Sequence, residues 1–137
     1  MKELYGNRVV EMARSLVMKE ILEGREHSFK VRNPFCGDQF ELGFDLVDNR
    51  IEHIELKGFA CILSKSSSYW VITTLSGLNV EEAKESLKLL SQGSVDDIVK
   101  EYSFWKALSN HPDRKECIQL LAKGFYSYLQ KPDFLLK

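Results

Sequence analysis

Residues 39–56, QFELGFDLVDNRIEHIEL, decide the fold class. Phe40, Leu42, Phe44 and Leu46 fall on alternate positions, the period of a strand with one face buried. DNR at 48–50 supplies a turn, and the chain resumes with IEHIELKGFA, where Ile54 and Leu56 point one way. Two such runs around a short polar turn predict a β-hairpin.

On both sides of the hairpin the period changes to that of a helix. Upstream, residues 7–23 carry Val9, Val10, Ala13, Leu16, Val17, Ile21 and Leu22 at spacings of three and four, which predicts one amphipathic helix stopped by Gly24. Downstream, ILSKSSSYWVITTLSG after Cys61 reads as a helix, with Trp70, Val71, Thr74 and Leu75 at helical spacing. Asn79 followed by Glu82 forms a capping box for NVEEAKESLKLLS, and Ser94 with Asp97 forms a looser one for SVDDIVKEYSFWKALS. The last helix is expected to begin at Pro112 and to bury Ile118, Leu121, Ala122, Phe125, Tyr128 and Leu129 along one face. Helix, hairpin, then helices predicts an α+β chain, a small antiparallel sheet of about three strands with helices packed on one face. At 137 residues the expectation is one domain spanning 1–137.

Nineteen basic residues stand against 20 acidic ones, so there is no cationic excess to hold a phosphate backbone, and nucleic acid is not an expected partner. Charges interrupt the N-terminal segment every few residues, and no stretch reaches the roughly 18 apolar residues of a membrane span. A cytoplasmic protein with no membrane partner is expected.

Three cysteines are an odd number and make a poor disulfide framework. Each falls at the end of an element. Cys36 precedes the first hairpin strand and lies two residues from Asp38, so that in an extended segment both side chains reach one ion. Cys61 lies where the hairpin ends and a helix begins, and Cys117 near the first turn of the last helix. A helix N-terminus lowers a thiol's pKa, and both are expected to be so affected. Three thiolates and one carboxylate suit tetrahedral Zn²⁺ and equally the iron of a small cluster. Spacing alone leaves the plainer reading open, because free cysteines are commonly buried as apolar filler. His53 and His111 read as surface or packed residues, and Trp70, Phe104 and Trp105 as packing.

The strings NPFCGDQFEL (33–42), KGFACILSKSSS (57–68) and HPDRKEC (111–117) together resemble the IscU/SufU family of iron-sulfur cluster assembly proteins, which includes the N-terminal module of NifU. The family pattern is an Asn-Pro-x-Cys-Gly-Asp loop, a Gly-x-x-Cys followed by small residues, and a third cysteine opening the C-terminal helix. Glu116 stands where IscU-type members carry a histidine, and the LPPVK chaperone motif is absent. The long interval between Cys61 and Cys117, and Pro112, Arg114 and Cys117 in Pro-x-Arg-x-x-Cys spacing, resemble the SufU-like branch.

The resemblance implies a metal site of Cys36, Asp38, Cys61 and Cys117, holding Zn²⁺ by preference or else iron as a transient [2Fe-2S] cluster, with Arg114 in support. It also implies that Cys36 is a persulfide acceptor, a sulfurtransferase role served by a cysteine desulfurase. Apo iron-sulfur proteins or a downstream scaffold would be the recipients. A reading from a different class keeps the fold and a purely structural zinc, in a non-catalytic binding module.

Overall fold

The computed structural model describes residues 5–131. Three strands, β1 (His27–Arg32), β2 (Gln39–Val47) and β3 (Arg50–Phe59), form an antiparallel sheet in the order β1-β2-β3. The hairpin closes where Val47 pairs with Arg50. Asp48 and Asn49 fill the two turn positions at φ 54° and 64°, left-handed values that these short polar side chains tolerate.

Phe40, Leu42 and Phe44 face inward as their alternation predicts. On β3 the fully buried apolar residues are Ile51 and Leu56, with Ile54 packed partly buried against the same core; Ile51 and Leu56 are five apart and could not share a face in a regular strand. A bulge resolves this. Asp45 pairs with Glu52 and Gly43 with Glu55, so His53 and Ile54 both oppose Phe44, and His53 takes φ 55°.

Five α-helices follow the described chain: α1 (Asn7–Ser15), α2 (Ile62–Leu75), α3 (Val80–Gln92), α4 (Val95–Glu101) and α5 (Lys115–Leu129). They gather on one face of the sheet, as expected for an α+β chain. The predicted face of α5 is buried throughout, and its aromatic residues Phe125 and Tyr128 pack on Phe29 and Phe44. Each fully buried Leu or Phe in this layer contributes roughly 1.5–3 kcal/mol through its removal from water. Helix α2 lies between α1 and α5. Both capping boxes form, with Asn79 and Ser94 accepting from the backbone of Glu82 and Asp97.

Two helices are shorter than their periodicity predicts. The first stops at Ser15, eight residues early, and Val17 and Ile21 are each 77% exposed. Leu16 turns extended, and the Lys19 amide donates to the Leu56 carbonyl at 2.8 Å, so the segment is drawn out beside β3. The predicted 94–109 helix breaks at Tyr102 (φ −120°) and continues as a 3-10 segment, Ser103–Ser109. A second 3-10 turn, Pro112–Arg114, leads into α5. Trp70, Tyr102, Phe104 and Trp105 pack against one another there, and Trp105 Nε1 donates to Ser66 Oγ at 3.0 Å.

Candidate metal centre

Three separate segments converge at one end of the sheet. The first is the loop 33–38 between β1 and β2. It is a tight turn, not the extended segment expected from the sequence. Asn33 holds it, because its amide donates to the Asp38 carbonyl (2.8 Å), its carbonyl accepts from Gly37 (2.9 Å) and its Oδ1 accepts from the Phe35 amide (3.1 Å). Gly37 closes the turn at φ 77°, where a side chain would be strained. The turn therefore brings Cys36 and Asp38 together for a different reason from the alternation of a strand. Cys36 is exposed, whereas Asp38 is only 4% exposed.

The second segment is the junction of β3 and α2. At Gly58 a Cβ atom would lie 2.1 Å from the Gln39 carbonyl oxygen, so only glycine lets the strand end pass this close to the loop. Cys61 then becomes the N-cap of α2, its Sγ accepting from the Ser64 amide at 3.5 Å. The third is the first turn of α5, which carries Cys117, buried at 3% exposure.

Cys36 Sγ, Cys117 Sγ and an Asp38 carboxylate oxygen all lie within 4.8 Å of one another, the two sulfurs 3.9 Å apart. Cys61 falls outside that mutual group, but its thiol interacts with Cys117 and its amide donates to Asp38 Oδ1 at 3.0 Å. Arg114 lies near the Cys117 thiol, which together with neighbouring negative charge raises its guanidinium pKa. A cleft of about 390 Å³ opens beside the group, lined by Phe35, Cys36, Arg114, Glu116 and Cys117 among others. His53 sits on β3, hydrogen-bonded to Asp45 at 2.9 Å, and neither it nor His111 belongs to the group.

The electrostatics divide the thiols. The interaction with Cys117 lowers Cys61 to about 6, and the Ser64 amide adds to this. Cys117 is pushed up, first by the Cys61 sulfur and then by burial, against the expectation that both helix-start thiols would be lowered. Cys36 is raised by desolvation of its sulfur, and the Asp38 charge adds to this. Burial alone would raise Asp38, but hydrogen bonds from Ser64 Oγ at 2.6 Å, from Cys36 and from the Cys61 amide outweigh it and hold the carboxyl below its ordinary value.

Sequence reading treated the serines after Cys61 as small residues only. All four, Ser64, Ser66, Ser67 and Ser68, are buried. Ser64 Oγ also lies 2.9 Å from the Cys117 carbonyl, and Ser67 Oγ donates to the Ile118 carbonyl. The recurrence of serine on the α2 face that meets α5 was the available signal.

The family model described as NifU-like N terminal domain matches residues 17–115. No curated protein matches the sequence. Among solved structures, the chain is similar to a candidate iron-sulfur cluster assembly scaffold protein for the SUF system from Fervidobacterium islandicum AW-1. That likeness has a TM-score of 0.78 at 20% identity and covers 94% of this chain and 98% of that one. A nitrogen-fixing NifU-like protein (N-terminal) from Brucella abortus superposes with a TM-score of 0.67 at 17% identity, covering 92% of each chain. A hypothetical protein solved at 2.3 Å gives 0.72 at 25% identity, over 96% of this chain and all of that one. At 20% and 17% identity the first two likenesses are of fold.

Proposed function

Because this chain belongs to the NifU-like N-terminal domain family, we propose that it is an iron-sulfur cluster assembly protein that accepts sulfur at Cys36, with zinc as the resident metal. The observation that carries this reading is the convergence of Cys36, Asp38 and Cys117 within 4.8 Å from segments far apart in sequence. The donor chemistry fits such an ion. Soft thiols select zinc or iron, and Asp38 is a buried carboxylate whose donors are a hydroxyl, a thiol and an amide, all neutral. Cys36, Asp38, Cys61 and Cys117 would hold it, and zinc supplies the positive charge that keeps coordinating thiols deprotonated at neutral pH.

Cys36 is the acceptor because it is exposed and sits on a loop, while Cys117 is buried in a helix and Cys61 is only half-exposed at an N-cap. The Cys36 thiolate attacks the outer sulfur of a persulfide on a cysteine desulfurase. The persulfide S–S bond breaks, the desulfurase thiolate leaves with the electron pair, and Cys36 carries the new persulfide. Arg114, beside the Cys117 thiol and lining the cleft, supports the charge there. Recipients would be apo iron-sulfur proteins or a downstream scaffold. The full chain, 1–137, would act as one such domain in the cytoplasm. The absence of a histidine before Cys117, where Glu116 stands, favours sulfur acceptance over assembly of a [2Fe-2S] cluster on this site.

The test is to incubate the chain with a cysteine desulfurase and cysteine and to follow the mass of the peptide containing Cys36. The wild type should gain one sulfur on that peptide. Cys36→Ala should gain none while keeping its circular dichroism spectrum. If Cys36→Ala unfolds instead, the metal is structural, because metal binding energy is then folding energy, and the sulfur-acceptor reading fails.

A further inference from the structure

Ser64 is only 1% exposed and sits in the first turn of α2, three residues after the N-cap Cys61. Its Oγ lies 2.6 Å from Asp38 Oδ2 and 2.9 Å from the Cys117 carbonyl oxygen. A hydroxyl has one proton to give, and the shorter contact to the charged acceptor is the stronger one. The Cys61 amide occupies the other carboxylate oxygen, Oδ1, at 3.0 Å. Both donors therefore come from one helical turn, and they grip Asp38 as a cap residue supplied by a distant loop.

We propose that Ser64 is a positioning residue for metal capture: its hydroxyl fixes the Asp38 carboxylate against the two thiols. The proposal rests on the reading of Asp38 as a ligand. A carboxylate offers about four lone-pair sites, and the two donors on α2 use two of them, which leaves the remainder for a cation among the sulfurs. Without the Ser64 hydroxyl the loop carboxylate rotates, and the rotamer freedom it regains must be lost again on metal binding. Ser67 is the internal control. It lies on the same helix and donates to the Ile118 carbonyl of α5, with no hydrogen bond to Asp38 among the described residues.

The experiment measures zinc affinity by chelator competition in the wild type, Ser64→Ala, Asp38→Ala, the double variant and Ser67→Ala, with melting curves of the metal-free chains alongside. Ser64→Ala should weaken zinc binding by about 10- to 100-fold, the usual effect of removing a group that orients a ligand. In the Asp38→Ala background the same change should cost no more than about twofold, because Ser64 acts through that carboxylate. Ser67→Ala should lower the melting temperature and leave the affinity within about twofold. Equal losses from Ser64→Ala in both backgrounds, or from Ser67→Ala, would reduce Ser64 to a packing residue and overturn the proposal. An unchanged affinity in Ser64→Ala overturns it too. A wild-type chain that takes no zinc removes the ligand reading itself, and the proposal with it.

Discussion

Two carboxylates in this chain are buried to the same degree, Asp38 and Glu55 at 4% exposure each, and both are held below their ordinary pKa. Their surroundings differ in kind. Glu55, on the outer face of the sheet, is met by Lys19 Nζ at 2.7 Å, by Arg25 Nε at 3.2 Å and by the Glu23 amide at 3.0 Å. Asp38 has no ion pair with a basic residue among the described residues, and its nearest groups are a hydroxyl, an amide and thiols. A buried charge is tolerated when it is paired or when it meets a metal. Glu55 has its cations from the chain, whereas Asp38 has soft donors arranged around a place where a cation from outside would complete the charge balance. Under the proposed function, the difference separates a carboxylate that holds the fold from one that is kept for a ligand.

The sharpest way to break this comparison is to remove each carboxylate and read both stability and metal affinity. Asp38→Ala should weaken zinc binding at least about 100-fold, more than the loss of an orienting neighbour, and cost the metal-free chain only about 1–3 kcal/mol through the donors left without an acceptor. Glu55→Gln should do the reverse, lowering the melting temperature while zinc affinity stays at the wild-type value. If the two variants fail in the same way, the division of roles is wrong.

A pH series sharpens the same point. Hydrogen bonds from Lys19 and Arg25 lower Glu55 from 4.5 to about 2 in the folded chain. A depressed folded pKa means stability that is fully present above pH 4.5 and lost as pH falls toward about 2. Melting curves of the metal-free chain from pH 6 to 2 should fall more steeply for the wild type than for Glu55→Gln across that window. The smallest effect is expected from Lys19→Met. Lys19 is 38% exposed, so its pair with Glu55 is screened by water, and Arg25 remains on the carboxylate. Its melting temperature should lie between those of the wild type and Glu55→Gln, with metal affinity unchanged.

What could be read from the sequence follows from how local each signal is. The hairpin, its Asp48-Asn49 turn, the two capping boxes and the buried face of α5 depend on neighbours within a few residues, and all of them form. The first helix was overextended because Val17 and Ile21 continue its spacing, while the force that ends it comes from Leu56 and Glu55 about 36 residues away. The same limit applies at the candidate metal centre. The cysteines and Asp38 could be picked out by residue type and by resemblance. The raised pKa of Cys117 could not, because it depends on a sulfur 56 residues earlier in the chain, nor could the grip of Ser64 on Asp38 across 26 residues.

The metal content and visible spectrum of the chain purified without chelator, beside Asp38→Ala prepared in the same way, test the zinc site most directly. The expected result is about one zinc per wild-type chain, no visible absorbance, and a loss of that zinc in Asp38→Ala. A wild-type chain with no metal, or an Asp38→Ala chain that keeps its full complement, would contradict it, and iron with matching sulfide and a brown colour would replace zinc with a cluster at this site.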